Sequence, residues 1–378
     1  MPAGKPPAGS HVLRVVIAGG GTGGHLYPGL AIADEIRTLR PDSVIEFVGS
    51  KGRIEERVVP AHGYSFRTIW ISGFRRGVHL SALLFPLKVA VSLVQSCVLL
   101  RAARPDVVVG TGGYVSGPVL YVATLLHIPT LVQEQNSIPG VTTRFLGSRV
   151  DEVHITYGAS RTFLNRNKAI HLTGNPTRST LDNVPRQQAA ESFGLDGSRR
   201  TVLVFGGSQG SLGVNRAVLQ ALPGILSSGT QIIWQVGDTD YERITAEPSV
   251  RTALGGGGVR IYRYIDRMGE AYAASDLVIC RAGATTLAEL TRIGKPSVLI
   301  PLPSAAADHQ TANARSMEQA GASVMVPEQK AGEELARAVV RLLGDTGALQ
   351  RMAESARGLG RPDAGRVLAE AVIRLAER

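Results

Sequence analysis

The sequence predicts an α/β fold of two doubly wound, parallel-sheet domains, and two glycine-rich loops carry that prediction. Val15-Val16-Ile17-Ala18 runs into Gly19-Gly20-Gly21-Thr22-Gly23-Gly24-His25, and Val202-Leu203-Val204-Phe205 runs into Gly206-Gly207-Ser208-Gln209-Gly210. Glycines let backbone approach a ligand closely, and the N–H groups and dipole of a following helix attract an anion. The first loop therefore points to a diphosphate. The third observation is rhythm: strand-like apolar runs alternate with helix-length amphipathic stretches, the βαβ pattern of a parallel sheet.

Taken in order, Met1 to Ser10 is rich in Pro, Gly and Ala without an apolar centre, and reads as a disordered tail rather than an export signal. Residues 11–172 form the first predicted domain, with strands at Leu13 to Ala18, Val44 to Val48, Val107 to Val109, Thr130 to Gln133 and Glu152 to Ile155. Tyr27-Pro28-Gly29 is read as the opening of a helix over Leu30 to Leu39. The break falls near Leu172 to Gly174, before Asn175-Pro176 and a polar stretch. Residues 173–362 form the second domain, with strands at Thr201 to Phe205, Gln231 to Val236, Val259 to Tyr262, Leu277 to Cys280, Ser297 to Ile300 and Ser323 to Val326. Gly294-Lys295-Pro296 ends a helix over about Thr285 to Ile293.

Composition narrows the classes. With 378 residues, 44% of them hydrophobic, the chain can fill two cores. Cys97 and Cys280 lie far apart and outside any C-x-x-C spacing, so neither a disulfide framework nor a thiolate metal site is expected, and a reducing cytoplasm is. A formal charge of +10 favours a polyanionic partner: nucleic acid, anionic lipid or a phosphorylated substrate. Only 5% of residues are aromatic and no basic segment is interleaved with them, which disfavours nucleic acid.

Arg75-Arg76 precedes the mostly apolar Leu80 to Leu100, and Arg101 and Arg104 follow. Lys88 and Pro86 make this a poor membrane span. A helix lying on an anionic membrane surface fits better, and an ordinary core-packing crossover helix is the alternative.

Gly19, Gly21 and Gly24 satisfy G-x-G-x-x-G, but the next strand ends in Gly49-Ser50 without an acid for a ribose diol, so NAD binding is disfavoured. His25 stands where a Walker loop needs lysine. At a helix start the dipole disfavours an imidazolium and leaves a neutral ring as a base, or His25 simply caps the turn. Thr111-Gly112-Gly113-Tyr114-Val115-Ser116-Gly117-Pro118 follows another strand and offers a second phosphate-type loop, or a plain glycine turn. Gln133-Glu134-Gln135-Asn136 stands on the same predicted rim, where Glu134, if buried, can orient a hydroxyl or the His25 ring, or is an ordinary solvated loop acid. Arg281 to Glu289 leads from a strand into a helix N-terminus, with Glu289 able to accept from ribose hydroxyls, or an ordinary first-turn acid. Asp308-His309-Gln310 lies in a further strand-to-helix loop. No cluster has metal-ligand spacing, leaving helix N-termini and Arg178 to meet phosphate charge.

In this order, Gly19 to His25 with Pro28, Thr111 to Pro118, Glu134 to Asn136, Gly174-Asn175-Pro176 with Arg178, Gly206 to Gly210, Arg281 to Glu289, and Asp308 with Gln310 through Asn313 resemble the bacterial UDP-N-acetylglucosamine transferases of peptidoglycan synthesis, which convert lipid I to lipid II. The likeness covers almost the whole chain. It implies a GT-B fold: two Rossmann-like domains facing a central cleft, the second holding UDP-GlcNAc, the first holding lipid I, and a last helix over about 363–378 returning to the first. By position it implies UDP-sugar contacts at Thr22, Gly23, Gly24, Asn136, Arg178, Ser208, Ile265, Ala284, Thr285, Thr286, Leu287, Ala288, Glu289 and Gln310. It places the acceptor diphosphate at Gly21, Gly112, Gly113, Tyr114 and Ser116, and implies no cofactor and no metal. The implied reaction is an inverting transfer to the C4 hydroxyl of the N-acetylmuramyl unit, with His25 or Glu134 taking the proton. The implied setting is the cytoplasmic face of the cell membrane, reached peripherally through residues 75–104, among other cell-wall synthesis proteins. One departure stands out: the family commonly has histidine where this chain has Gln133, which shifts the expected base towards His25. A UDP-GlcNAc 2-epimerase, a nicotinamide oxidoreductase and a non-enzymatic membrane-surface protein are the alternatives.

Overall fold

Continuous Val/Ile/Leu runs become strands where helices cover both faces of a parallel sheet, and this chain uses that solution twice. The computed structural model describes residues 11–73, 84–164, 169–177, 181, 184–207, 209–305 and 308–378. It divides into one unit running up to Pro176 together with Asp363–Arg378, and a second unit, Thr177–Pro362.

Among the described residues, the first unit holds strands β1 Arg14–Ala18, β2 Val44–Gly49, β3 Ser65–Thr68, β4 Val107–Gly110, β5 Thr130–Glu134, β6 Glu152–Ile155 and β7 Ala169–Leu172. They pair in the order β3-β2-β1-β4-β5-β6-β7, every pair parallel. Its helices are α1 Gly23–Leu39, α2 Ile54–Ala61, α3 Phe85–Ala103, α4 Gly113–Leu125 and α5 Val141–Leu146. The second unit holds β8 Thr201–Phe205, β9 Gln231–Gln235, β10 Val259–Tyr262, β11 Leu277–Cys280, β12 Ser297–Leu299 and β13 Ser323–Met325, in the parallel order β10-β9-β8-β11-β12-β13. Around it lie α6 Arg186–Ser192, α7 Leu212–Ser227, α8 Asp238–Ala246, α9 Pro248–Gly255, α10 Met268–Ala274, α11 Ala284–Ile293, α12 His309–Gln319, α13 Ala331–Gly344 and α14 Thr346–Leu359. The last helix, α15 Ala364–Ala376, belongs to the first unit and buries Leu368, Ala369, Ala371, Val372 and Leu375 in the core formed with β1, β2 and α1.

Three details differ from the sequence reading. Helix α1 begins at Gly23, not after Pro28-Gly29, because burial of Leu26 pulls the chain into helix directly from the glycine loop. Strands β3 and β7 went unread because they are edge strands with mostly exposed side chains, lacking the apolar run of a central strand. The units divide after Pro176 rather than at Leu172 to Gly174, since Thr173 and Gly174 still donate to the Ile155 carbonyl at 3.0 and 3.1 Å.

Helix α3 is long and apolar enough to cross a membrane by length and composition alone. It connects β3 to β4 and packs on α4, turning Ser92, Ser96, Leu99 and Leu100 inward. The serines are satisfied locally, donating to the carbonyls of Val89 and Ser92 at 2.8 and 2.7 Å. Leu87, Ala90, Val94 and Val98 form an exposed outward strip that ends at Arg101. Arg75 and Arg76 lie outside the described residues.

Candidate active site

In the first sheet the strand order reverses between β1 and β4, where doubly wound sheets leave a crevice at their carboxyl edge. The two loops there are bonded together. Thr111 N–H donates to the Ala18 carbonyl at 3.0 Å, and the Ser116 hydroxyl donates to the carbonyls of Ala18 and Gly112 at 2.7 and 2.8 Å. Gly112 and Gly113 have φ of +96° and +76°, and a Cβ on Gly112 would stand 2.6 Å from His25 Nδ1. Only glycine allows the loops to close on that ring. Ser116 is buried, so its hydroxyl staples the loop and does not face a ligand.

His25 sits half-buried in the first turn of α1, with Nδ1 3.1 Å from the Thr111 carbonyl and 3.1 Å from Gln135 Oε1. A carbonyl oxygen only accepts, so Nδ1 carries the ring proton and Nε2 presents its lone pair. Gln135 is itself fixed, donating to the Thr111 carbonyl at 2.7 Å and to Gln133 Oε1. Gln133 Nε2 donates in turn to the Gly174 carbonyl at 3.3 Å. A relay of two buried amides therefore sets the His25 rotamer and tautomer.

Glu134 is buried, and its carboxylate accepts from Asn136 N–H at 3.0 Å, Asn136 Nδ2 at 3.2 Å and Gly140 N–H at 3.1 Å. Both oxygens hold the 136–140 turn. Gly21, at φ +85°, lies beneath the Tyr114 ring, and its N–H donates to the buried Glu55 carboxylate at 3.0 Å. Thr22 is the exposed N-cap residue of α1, followed by Gly23 and Gly24 in its first turn.

The second unit repeats the arrangement at β8 and β11, where its strand order reverses. Arg281 is 6% exposed. Its Nε and Nη2 donate to Ser211 Oγ at 3.0 and 2.7 Å, its Nη1 donates to the carbonyls of Ile300 and Pro301 at 3.1 and 2.9 Å, and it pairs with Glu328. This guanidinium ties the ends of three strands together. Gly283 caps α11, whose first two turns present Ala284, Thr285, Thr286, Ala288 and Glu289. The buried Glu289 carboxylate accepts from the Tyr272 hydroxyl at 2.9 Å. Leu287 and Ile265 have core side chains, so only their backbone can meet a ligand, and Ile265 N–H is already held by Gln235 Oε1 at 2.9 Å. Gln310, in the first turn of α12, accepts from Leu302 N–H at 3.0 Å. Burial pushes the Cys280 thiol well above its ordinary range, with the Glu289 carboxylate adding to the effect, so it stays protonated beside this loop. Ser208 and Arg178 lie outside the described residues.

Residues 15–155 match the glycosyltransferase family 28 N-terminal domain, and residues 201–366 match the family's C-terminal domain. The chain is 46% identical to the UDP-N-acetylglucosamine–N-acetylmuramyl-(pentapeptide) pyrophosphoryl-undecaprenol N-acetylglucosamine transferase of Chlorobaculum tepidum, over 97% of this chain and 100% of that one. It is 43% identical to the protein of the same name from Salinibacter ruber, over 97% of each. The chain belongs to this N-acetylglucosamine transferase family. Its fold is that of the crystal structure of Acinetobacter baumannii MurG, at TM-score 0.72 and 26% identity over 96% of this chain and 99% of that one. The kinship makes the chain a GT-B glycosyltransferase rather than an oxidoreductase, and leaves the epimerase alternative less supported.

Two residues of this transferase escaped the sequence reading. Glu55 lies in the polar run Ile54-Glu55-Glu56-Arg57 and looks like an ordinary first-turn acid, yet it is buried beneath the first glycine loop. Tyr272 lies on α10, and nothing local marks it as the partner of Glu289. Both pairings arise from packing between elements.

Proposed function

We propose that this transferase moves N-acetylglucosamine from UDP-N-acetylglucosamine to the C4 hydroxyl of the N-acetylmuramyl unit of undecaprenyl-diphosphate-linked lipid I, with inversion at C1, giving lipid II. What carries the reading is kinship over nearly the whole chain with proteins named for that transfer. The two glycine loops at the sheet reversals supply places for two diphosphates.

The second unit takes the donor. The N-terminus of α11 faces the developing charge of the departing UDP, Glu289 accepts from the ribose hydroxyls, and Gln310 binds sugar hydroxyls. The backbone at Ile265 and Leu287 completes that pocket within the second unit. The first unit takes the acceptor diphosphate on the loops at Gly21 and Gly112 to Tyr114, with Ser116 acting through the loop it staples. As the C4 oxygen bonds to C1 and the bond from C1 to the UDP oxygen breaks, the hydroxyl proton passes to His25 Nε2. Glu134 shapes the turn beside it.

The membrane-bound acceptor gives the exposed strip of α3 its reason: with Arg101 and Arg104 beside it, the strip rests on the anionic cytoplasmic leaflet and holds the enzyme there peripherally.

The test is UDP release from UDP-GlcNAc with and without a short-chain lipid I analogue. Strict dependence on the acceptor, with a disaccharide product, is expected. Release of UDP or formation of the 2-epimer without acceptor overturns the proposal.

A further inference from the structure

Away from both glycine loops, the first sheet brings together Glu152, His154 and His171, whose ligand atoms all lie within 4.8 Å of one another. Glu152 and His154 are two residues apart on β6 and so share a face, and the parallel register sets His171 of β7 directly beside His154. No sequence motif marks the trio, because strand pairing makes the third ligand a neighbour.

We propose that these three side chains form a binding site for a divalent transition metal of the zinc class, fastening β7 to β6. Two imidazoles and one carboxylate are a common zinc donor set, and a tetrahedral ion with bonds of about 2.1 Å needs its ligand atoms roughly 3.4 Å apart. Glu152 Oε2 already lies 3.3 Å from His154 Nε2 and 3.8 Å from His171 Nε2. The outer groups are those that hold metal ligands in place. His154 Nδ1 lies 2.7 Å from Thr173 Oγ1, so donation to that hydroxyl leaves Nε2 facing the site, and Arg378 holds Glu152 Oε1 at 3.1 Å. Glu152 and His154 are buried, whereas the His171 side chain is 47% exposed and gives an ion a way in, with a fourth position open to water.

One cation already competes for the site. Arg374 reaches Glu152 Oε2 at 3.0 Å and must leave that oxygen for a metal to bind; its side chain is 54% exposed and has solvent to move into. Metal and the Arg374 ion pair are therefore alternatives, which separates a metal site from a plain ion-pair network.

The experiment titrates the full, tag-free chain, stripped with chelator, with Co²⁺ followed by visible absorption, then with Zn²⁺ followed by calorimetry and thermal unfolding. One equivalent with tetrahedral Co²⁺ absorption and a Zn²⁺-dependent rise in Tm is expected. His171→Ala, at a half-exposed position, should weaken binding by roughly tenfold or more, and Arg374→Ala should tighten it. Absence of saturable binding in the wild-type chain, or equal affinity in wild type and His171→Ala, overturns the proposal and leaves the cluster an ion-pair anchor for the C-terminal helix.

Discussion

His25, in the first turn of α1, and Glu134, at the end of β5, belong to the same unit, yet their hydrogen bonds point to different work. The histidine presents a lone pair at Nε2, whereas the carboxylate spends both oxygens on backbone and amide donors. His25→Ala should lower kcat by about 10²–10⁴-fold. Glu134→Gln should lose far less. A near-normal rate in His25→Ala with a collapsed rate in Glu134→Gln would reverse the assignment. In the second unit, Tyr272→Phe deletes a hydrogen bond to the Glu289 carboxylate. It should raise KM for UDP-GlcNAc roughly tenfold, the worth of about 1.4 kcal/mol, with kcat little changed. At this scale the sequence placed its glycine loops and polar residues at the carboxyl ends of strands, where β1, β4, β5 and β11 carry them. It did not show that Gln133 would join Gln135 in holding His25, because that depends on three segments meeting.

Among the elements, α3 inverts the usual arrangement by burying serines and exposing valines. Val94→Asp with Val98→Asp should weaken sedimentation with anionic vesicles roughly tenfold or more, since each valine withdrawn from the acyl boundary forfeits about 1–2 kcal/mol. Turnover of a water-soluble acceptor should be unchanged. The turn after α11 stores a pH response. Burial pulls Lys295 down to about 8, with repulsion from Arg186 and Arg357 adding to the effect and Asp276 opposing it. Between about 8 and its ordinary 10.5, the unfolded chain binds a proton that the folded chain releases, so Lys295 costs stability below that window and the cost is relieved as pH rises through it. The Tm of wild type relative to Lys295→Met should therefore climb between pH 8 and 10, and a flat difference would remove the assignment. The central strands were readable from their apolar runs. The edge strands β3 and β7 were not, because an edge strand in contact with solvent carries no such run.

For the molecule as a whole, the chain finishes in the unit where it began. Helix α15 fills the first unit's core through Leu368, Val372 and Leu375. Leu368→Ala should cost about 2–5 kcal/mol in urea unfolding, as expected for a fully buried leucine, and a cost below 1 kcal/mol would mean that the helix docks only loosely. The sequence by itself determined the fold class, the central strands and the glycine loops that follow them, because apolar periodicity and glycine content are local properties. Tertiary structure alone decided which acid braces a turn, which nitrogen of the His25 ring is held, and which residues from distant strands and helices share one point. Those outcomes depend on strand order and register, which bring together groups that are far apart along the chain.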